Sequence, residues 1–434
     1  MRGKLVYVKL SSIYSIERMA STAASFLVYV AMGRMFGPGL MGAFSYAQSA
    51  ANLAGPFLAV GAEPVVVREL VRRPQEADTV LGSAYRFLFL MSLAVTALPV
   101  LLVWVALSNA DRTLMMTAWL VAPFICNGFL VIDHYFRARL MVRPLVTARI
   151  ASLLFGLVVK VVAMYSGLSI VYVAIGFSLE QLALVALLII AYRRLGLRIG
   201  DWRSTPQTRH LLLRQCLPSM LSAVVVQLFF RLNFIMLGSL FLDPNRALNE
   251  VGQYAVAFQI VQLTNMLPLV ISSAIYPRLV TLHAENPDRY RQVLRGLLIW
   301  ITGAGYVLVL GAYFLGPPIL HAVFGVKFDR AANILVMLCI STVFNFSGAV
   351  RALFININGM TKYHLFNAAL GLAILAPADF IFIPASGGLG AAGAAAVATF
   401  VSGILSSLLL SRTRSFGFDQ LRALLLYRRG PAFS

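Results

Sequence analysis

The sequence predicts an all-α polytopic membrane protein, with about twelve transmembrane helices in two parallel six-helix lobes around a central cavity. Three observations lead there. Of 434 residues, 60% are hydrophobic and only 12% charged, too little polar surface to coat a water-soluble particle of this size. Apolar runs of roughly 20 residues, the length that crosses a bilayer, recur along the whole chain. A short pattern in the first half returns at an equivalent place in the second.

The spans are expected at 10–33, 39–61, 81–107, 113–136, 145–165, 168–192, 209–241, 250–276, 292–315, 331–355, 363–384 and 388–411. Gly37-Pro38-Gly39 divides the first two, and Pro384 with Gly387-Gly388 divides the last two. The basic start of the chain runs into an apolar stretch that holds Glu17 and Arg18, so no cleavable leader is expected and the first span is retained. The basic residues set the orientation. Only Arg34, Arg112, Arg246, Lys327 and Arg330 fall in the odd-numbered loops, which places both termini in the cytoplasm by the positive-inside rule.

The division expected is a six-helix lobe over 1–192, a basic cytoplasmic linker over 193–208, a second lobe over 209–411 and a basic tail over 412–434. The formal charge of +20 would suggest nucleic acid in a soluble protein. Its distribution in short tracts between apolar segments fits an anionic membrane surface instead, and no nucleic-acid partner is expected. Cys126, Cys216 and Cys339 are far apart and form no CxxC or Cys/His cluster, so neither a disulfide framework nor a metal site is expected. No G-x-x-x-x-G-K-[ST] stretch exists to hold ATP phosphates, and no loop is long enough for a catalytic domain. No cofactor is expected.

Gly42-Ala43-Phe44-Ser45-Tyr46-Ala47 opens the second span and Gly252-Gln253-Tyr254-Ala255-Val256-Ala257 opens the eighth. Both read G-x-[aromatic]-x-x-A, 210 residues apart, the offset that also relates Arg68 to Arg278. Upstream, Gly33-Arg34-Met35-Phe36 is matched by Gly238-Ser239-Leu240-Phe241, with five extra residues in the later loop. Halves of six spans each keep one orientation, so the repeats are parallel, an arrangement transporters use with the substrate site near mid-depth.

These stretches also resemble a known family. Val251-Gly252-Gln253-Tyr254 through Tyr276-Pro277-Arg278-Leu279 is similar to the eighth-span signature of polysaccharide flippases. Arg34-Met35-Phe36-Gly37-Pro38-Gly39 leading to Arg68-Glu69-Leu70 is similar to their early motif. Ile383-Pro384 followed by Gly387, Gly390, Ala391 and Ala392 fits their I-P-x-x-G-x-x-G-A-A pattern. The resemblance runs from span one to span twelve and is to the O-antigen, or lipid-linked oligosaccharide, flippases of the multidrug/oligosaccharidyl-lipid/polysaccharide exporter superfamily. It implies a V-shaped bundle of two lobes in a bacterial cytoplasmic membrane. The implied cargo is an undecaprenyl-pyrophosphate-linked oligosaccharide, and the implied partners are membrane lipids, a polysaccharide polymerase and a chain-length regulator. The chain departs from the family at Arg231-Leu232-Asn233, where relatives often carry Asp at the third position, and at Pro377 and Asp379, where Asn is more usual.

Charges inside spans carry the remaining signal, because a charge at mid-bilayer costs about 2.5–3.5 kcal/mol on insertion scales and so faces a cavity or a partner. Arg18, Lys160, Arg231 and Arg351 are candidates for a cationic path that holds an anionic headgroup, since guanidinium binds phosphate oxygens as a fork. Arg231 is read as near the centre of its span, and Lys160 as midway along its own. The alternative for each is an ion pair that locks the bundle, or snorkelling for Arg18. Glu180, Asp379 and Glu17 are candidates for binding a coupling proton or sodium ion, with ion pairing to a cavity arginine as the alternative. Glu63, Asp133, His134 and Arg137 read as charge pairing near the inner interface. A multidrug cation antiporter of the same superfamily is the chief rival, although its cavity should favour carboxylates over arginines. A membrane polymerase or ligase would need a sizeable outer loop with catalytic Arg, His or carboxylates, and the outer loops here are short and hold no D-x-D or paired-carboxylate constellation.

Overall fold

Backbone groups inside a bilayer have no water to bond, so a spanning chain must close its hydrogen bonds within each segment. This chain does so as helix, with no strand among the described residues. The computed structural model describes residues 2–60, 62–107 and 111–425, without the side chains of 2–16, 18, 59 and 60.

The helices are α1 (Arg2–Gly55), α2 (Glu63–Arg72), α3 (Ala77–Ala106), α4 (Asp111–Val121), α5 (Val131–Ala138), α6 (Val142–Tyr165), α7 (Ile170–Arg194) and α8 (Pro206–Ser239). They continue as α9 (Pro244–Thr264), α10 (Met266–Glu285), α11 (Pro287–Phe324), α12 (Asp329–Ile357), α13 (Lys362–Ser386), α14 (Gly388–Phe400), α15 (Ser406–Leu409) and α16 (Arg414–Leu424). Large apolar side chains stand exposed on them, among them Trp104 at 65%, Trp300 at 79% and Phe314 at 70%. Water would not tolerate such a surface but lipid does. The chain is a multi-pass membrane protein.

Among the described residues, 11 helices are long and apolar enough to cross a membrane. The difference from twelve arises at the first turn. Spans one and two are not separated by a loop: α1 runs on for 54 residues and is broken only at Gly37, with φ 74° and ψ 179°. A straight helix of that length would measure about 80 Å, well beyond a bilayer core of about 30 Å. The left-handed φ is one that glycine adopts without a Cβ penalty.

Span four also differs from expectation. It is α4 and α5 joined by a 3₁₀ stretch, Ala122–Leu130, at the sequence Pro123 to Gly128, where proline removes an amide donor. Span eight is divided at Asn265 into α9 and α10.

The helices form two compact units, Met1–Phe36 with Ala43–Gln227, and Gly37–Gly42 with Leu228–Ser434. In the first, α6 packs on α7, α4 on α7, and α3 on the 3₁₀ stretch. Phe136, Leu145, Tyr192 and Leu212 lie in its core. In the second, α12 touches α9, α10, α11 and α14, and Leu298, Ile301, Phe346 and Val350 fill one of its cores.

The repeat has a packing cause in each unit. In the first, the motif aromatic Phe44 is fully buried against Tyr29 and Phe177, with ring centroids at 6.0 and 5.4 Å. In the second, Tyr254 packs edge-on to Phe234 at 5.0 Å. Tyr29 and Phe234 are 205 residues apart, the offset of Gly33 and Gly238. The motif alanines Ala47 and Ala257 are both wholly buried.

The glycines serve close approach. A Cβ on Gly252 would overlap the Pro38 carbonyl, and one on Gly42 the Leu248 carbonyl. Helix geometry breaks at matching places too. A π-helical turn, Pro56–Val60, follows Gly55 in the first unit, and α9 gives way to α10 at Asn265 in the second.

Candidate functional site

The first unit encloses a polar cavity of about 330 Å³ lined by Glu17, Glu63, Asp133, His134, Arg137, Arg149 and Glu180, with serines and leucines between them. α1, α2, α5, α6 and α7 each supply part of it. Arg137 donates to Glu63 at 2.6 Å and to Asp133 at 3.2 Å. Arg149 reaches Asp133 at 2.9 Å and Glu17 at 3.7 Å. The charged side chains thus form one chain of alternating sign, Glu63–Arg137–Asp133–Arg149–Glu17. Each charge in it touches an opposite one, which lowers the cost of holding it within the bundle. His134 does not join it: the residue is 2% exposed, and neither ring nitrogen has a hydrogen-bond partner among the described residues.

At the cavity wall Glu180 accepts from Lys160 of α6. Lys160 is 3% exposed and also lies 3.9 Å from the centroid of the Phe177 ring. The helices make room for the pair reciprocally. A Cβ on Gly156 would strike the Glu180 side chain, and one on Gly176 would strike Cγ of Lys160. Lys160 stands five residues before Tyr165, toward the end of α6 rather than midway along it. The side chain of Arg18 lies outside the described residues.

The second unit holds a separate polar group. Asn233 of α8 donates to the Tyr254 hydroxyl at 3.1 Å and to the Ala391 carbonyl at 2.8 Å, tying α8, α9 and α14 together. Tyr254 lies within electrostatic reach of both Asp379 and Arg231. Asp379 of α13 is fully buried, and neither carboxylate oxygen has a hydrogen-bond partner among the described residues. Arg231 is half-buried, with its guanidinium 6.0 Å from the Phe234 ring centroid. Its helix is 34 residues long and ends at Ser239, so Arg231 stands about two turns from that end rather than at the centre.

Arg351 is placed elsewhere in the second unit. It donates to the Ser402 carbonyl at 2.5 Å and the Ser406 hydroxyl at 2.7 Å, at the π-helical turn Val401–Leu405. A π turn leaves carbonyls without their usual α-helical donors, and Arg351 supplies one. The structure therefore brings Arg231 and Asp379 to one polar group, Glu17 and Glu180 to another with Lys160 behind it, and holds Arg351 apart from both. The sequence reading missed Asn233 and Tyr254 as partners, although Tyr254 is the motif aromatic. It also missed His134 as an unpaired group.

Bilayer-length helices in two units, with charged and polar groups gathered inside them, make up a membrane-transporter fold. The chain matches the model of the polysaccharide biosynthesis protein family over residues 8–283, and it belongs to that family. In fold it is similar to the lipid II flippase MurJ in an inward closed conformation. That match has a TM-score of 0.73 at 16% identity and covers 95% of this chain and 91% of the other. It is equally similar to an inward-facing multidrug resistance MATE family transporter of the MOP superfamily, at TM-score 0.73 and 16% identity over 96% of this chain and 98% of that one. No curated protein matches it. The membership and the fold agree with the resemblance read from the motifs.

Proposed function

We propose that this protein is a flippase. Its cargo would be an undecaprenyl-pyrophosphate-linked oligosaccharide, carried from the inner to the outer leaflet of the bacterial cytoplasmic membrane by alternating access, with both termini cytoplasmic. Family membership supports a role in polysaccharide assembly, where such a flippase would hand its cargo to a polymerase and a chain-length regulator. The observation that carries the reading is Arg231, a cation kept within a spanning helix and only half-buried. A pyrophosphate bears negative charge across the bilayer, and a guanidinium on the path lowers that barrier through charge-assisted hydrogen bonds.

The coupling ion is assigned to carboxylates, with Asp379 foremost. Glu17 and Glu180 are ion-paired, whereas Asp379 is wholly buried with both oxygens unpartnered among the described residues. A carboxylate so placed calls for a proton or a sodium ion.

Uptake of a short-chain pyrophosphate-linked oligosaccharide by proteoliposomes tests the reading, with wild type beside Arg231→Ala. Wild type should transport, and the variant should lose about tenfold or more, the scale of one charge-assisted contact. Undiminished transport by Arg231→Ala would remove the cationic path. Transport of cationic drugs but no glycolipid by wild type would replace the flippase reading with that of an antiporter.

A further inference from the structure

We propose that the polar cavity of the first unit is a proton-binding site, with His134 as the acceptor. This deepens the transport reading above and rests on it for the coupling role, while proton binding itself can be measured without any cargo.

Charge balance points there first. Glu17, Glu63, Asp133 and Glu180 line the cavity, and the cations that meet them are Arg137, Arg149 and Lys160. With a neutral imidazole, the described side chains leave one carboxylate charge in excess. An uncompensated charge is costly where the carboxylates are most buried, at Glu17 and Asp133, and a single proton cancels it.

His134 is the group able to take that proton. A neutral imidazole has one donor and one acceptor nitrogen, and both are normally bonded when buried. Here neither has a partner among the described residues, although His134 lines the cavity and adjoins Asp133 on α5. Protonation makes both nitrogens donors amid carboxylates from four helices: Glu17 of α1, Glu63 of α2, Asp133 of α5 and Glu180 of α7. The opposing groups are Arg137 of α5, Arg149 and Lys160 of α6. α3 packs on α5 but contributes no lining residue.

The chemistry is a single N–H bond formed with a proton from solvent and broken when the proton leaves. Arg137 and Arg149 gate it. While they hold Asp133 and Glu63, positive charge opposes the imidazolium. When an anionic headgroup draws them away, the freed carboxylates favour it. The proton and the anion are therefore bound together.

Two measurements test this on the full chain. The first is NMR of the histidine ring carbons, with the His134 signal assigned by its loss in His134→Gln. In a titration from about pH 8 down to 4 the signal should show protonation in wild type or in Arg137→Gln, which frees the carboxylates, and Arg137→Gln should move it to higher pH. A His134 ring that keeps one protonation state throughout that range in both proteins overturns the proposal, whatever transport shows.

The second is proteoliposome uptake under an imposed pH gradient. One pH unit gives a roughly tenfold bias for each coupled proton, and His134→Gln should lose the share carried by its own proton, leaving only that carried at Asp379. A full gradient response in His134→Gln would overturn the coupling role. A titrating His134 in a protein that moves no glycolipid would support proton binding and sink the flippase reading instead. If His134→Gln does not fold, His134→Asn supplies the assignment and the gradient test.

Discussion

The Lys160–Glu180 pair shows how a bilayer-embedded charge is housed. Each helix offers a glycine one turn from its own charge, Gly156 before Lys160 and Gly176 before Glu180, and each glycine faces the other helix's charged side chain. Removing one partner leaves the other charge unmatched in a buried place, whereas removing both leaves only apolar surface. Lys160→Met should therefore lower stability by about 3–5 kcal/mol, and Lys160→Met with Glu180→Leu should recover most of it. Thermal unfolding in detergent reads both. A double variant as unstable as the single would show that the pair does not hold α6 to α7. Both charges were legible in the sequence, since each interrupts an apolar run. Their partnership was not, because it depends on the facing register of two helices. A spacing signal for it does exist: G-x-x-x-K at 156–160 is followed by G-x-x-x-E at 176–180.

At the scale of the element, the spans are interrupted helices, and the interruptions are held by side chains from afar. The π turn Val401–Leu405 is served from two sides. Arg351 bonds the Ser402 carbonyl, and Gln420 of α16 bonds the Gly403 carbonyl and the Ser347 hydroxyl, each at 3.0 Å. Gln420 is fully buried, so α16 is pinned to the bundle through it, with Phe416 stacked on Phe354 at 4.8 Å. Gln420→Leu should cost about 1–3 kcal/mol, as a buried carbonyl loses its donor. Limited proteolysis should then cut at α16 sooner than in wild type, and an unchanged cleavage rate would show that the contact does not anchor it. Span number and approximate position were readable because 20-residue apolar runs have no other use in such a chain. The π turn Val401–Leu405 was not, because its carbonyls are met by the distant Arg351 and Gln420 rather than by local residues, whereas the 3₁₀ stretch at Ala122–Leu130 carried a local cue in Pro123.

For the whole molecule, the repeat is the informative feature, and its glycines make it testable. Gly252 and Gly42 are the first residues of the two G-x-[aromatic]-x-x-A motifs, and backbone carbonyls stand where each would carry a Cβ. The motif thus combines a close backbone approach at its glycine, an aromatic buried against the preceding span and an alanine that leaves no room for more. Sequence comparison alone found the pattern but could not say why its positions matter, since six common residues carry little specificity. Backbone atoms cannot rotate aside as a side-chain end can. Gly252→Val should accordingly cost about 3 kcal/mol or more through overpacking, and Gly42→Val should do the same. Gly39 lies three residues from Gly42 and would meet nothing within 4 Å, so Gly39→Ala should hold or slightly raise stability through better helix propensity. Yield of monodisperse protein and the unfolding temperature in detergent separate these cases. If Gly252→Val melts with wild type, the helices do not approach as described, and the motif must be explained by the exchange of conformations during transport. If it fails while Gly39→Ala does not, the close approach is a fixed point of the fold that both repeats share.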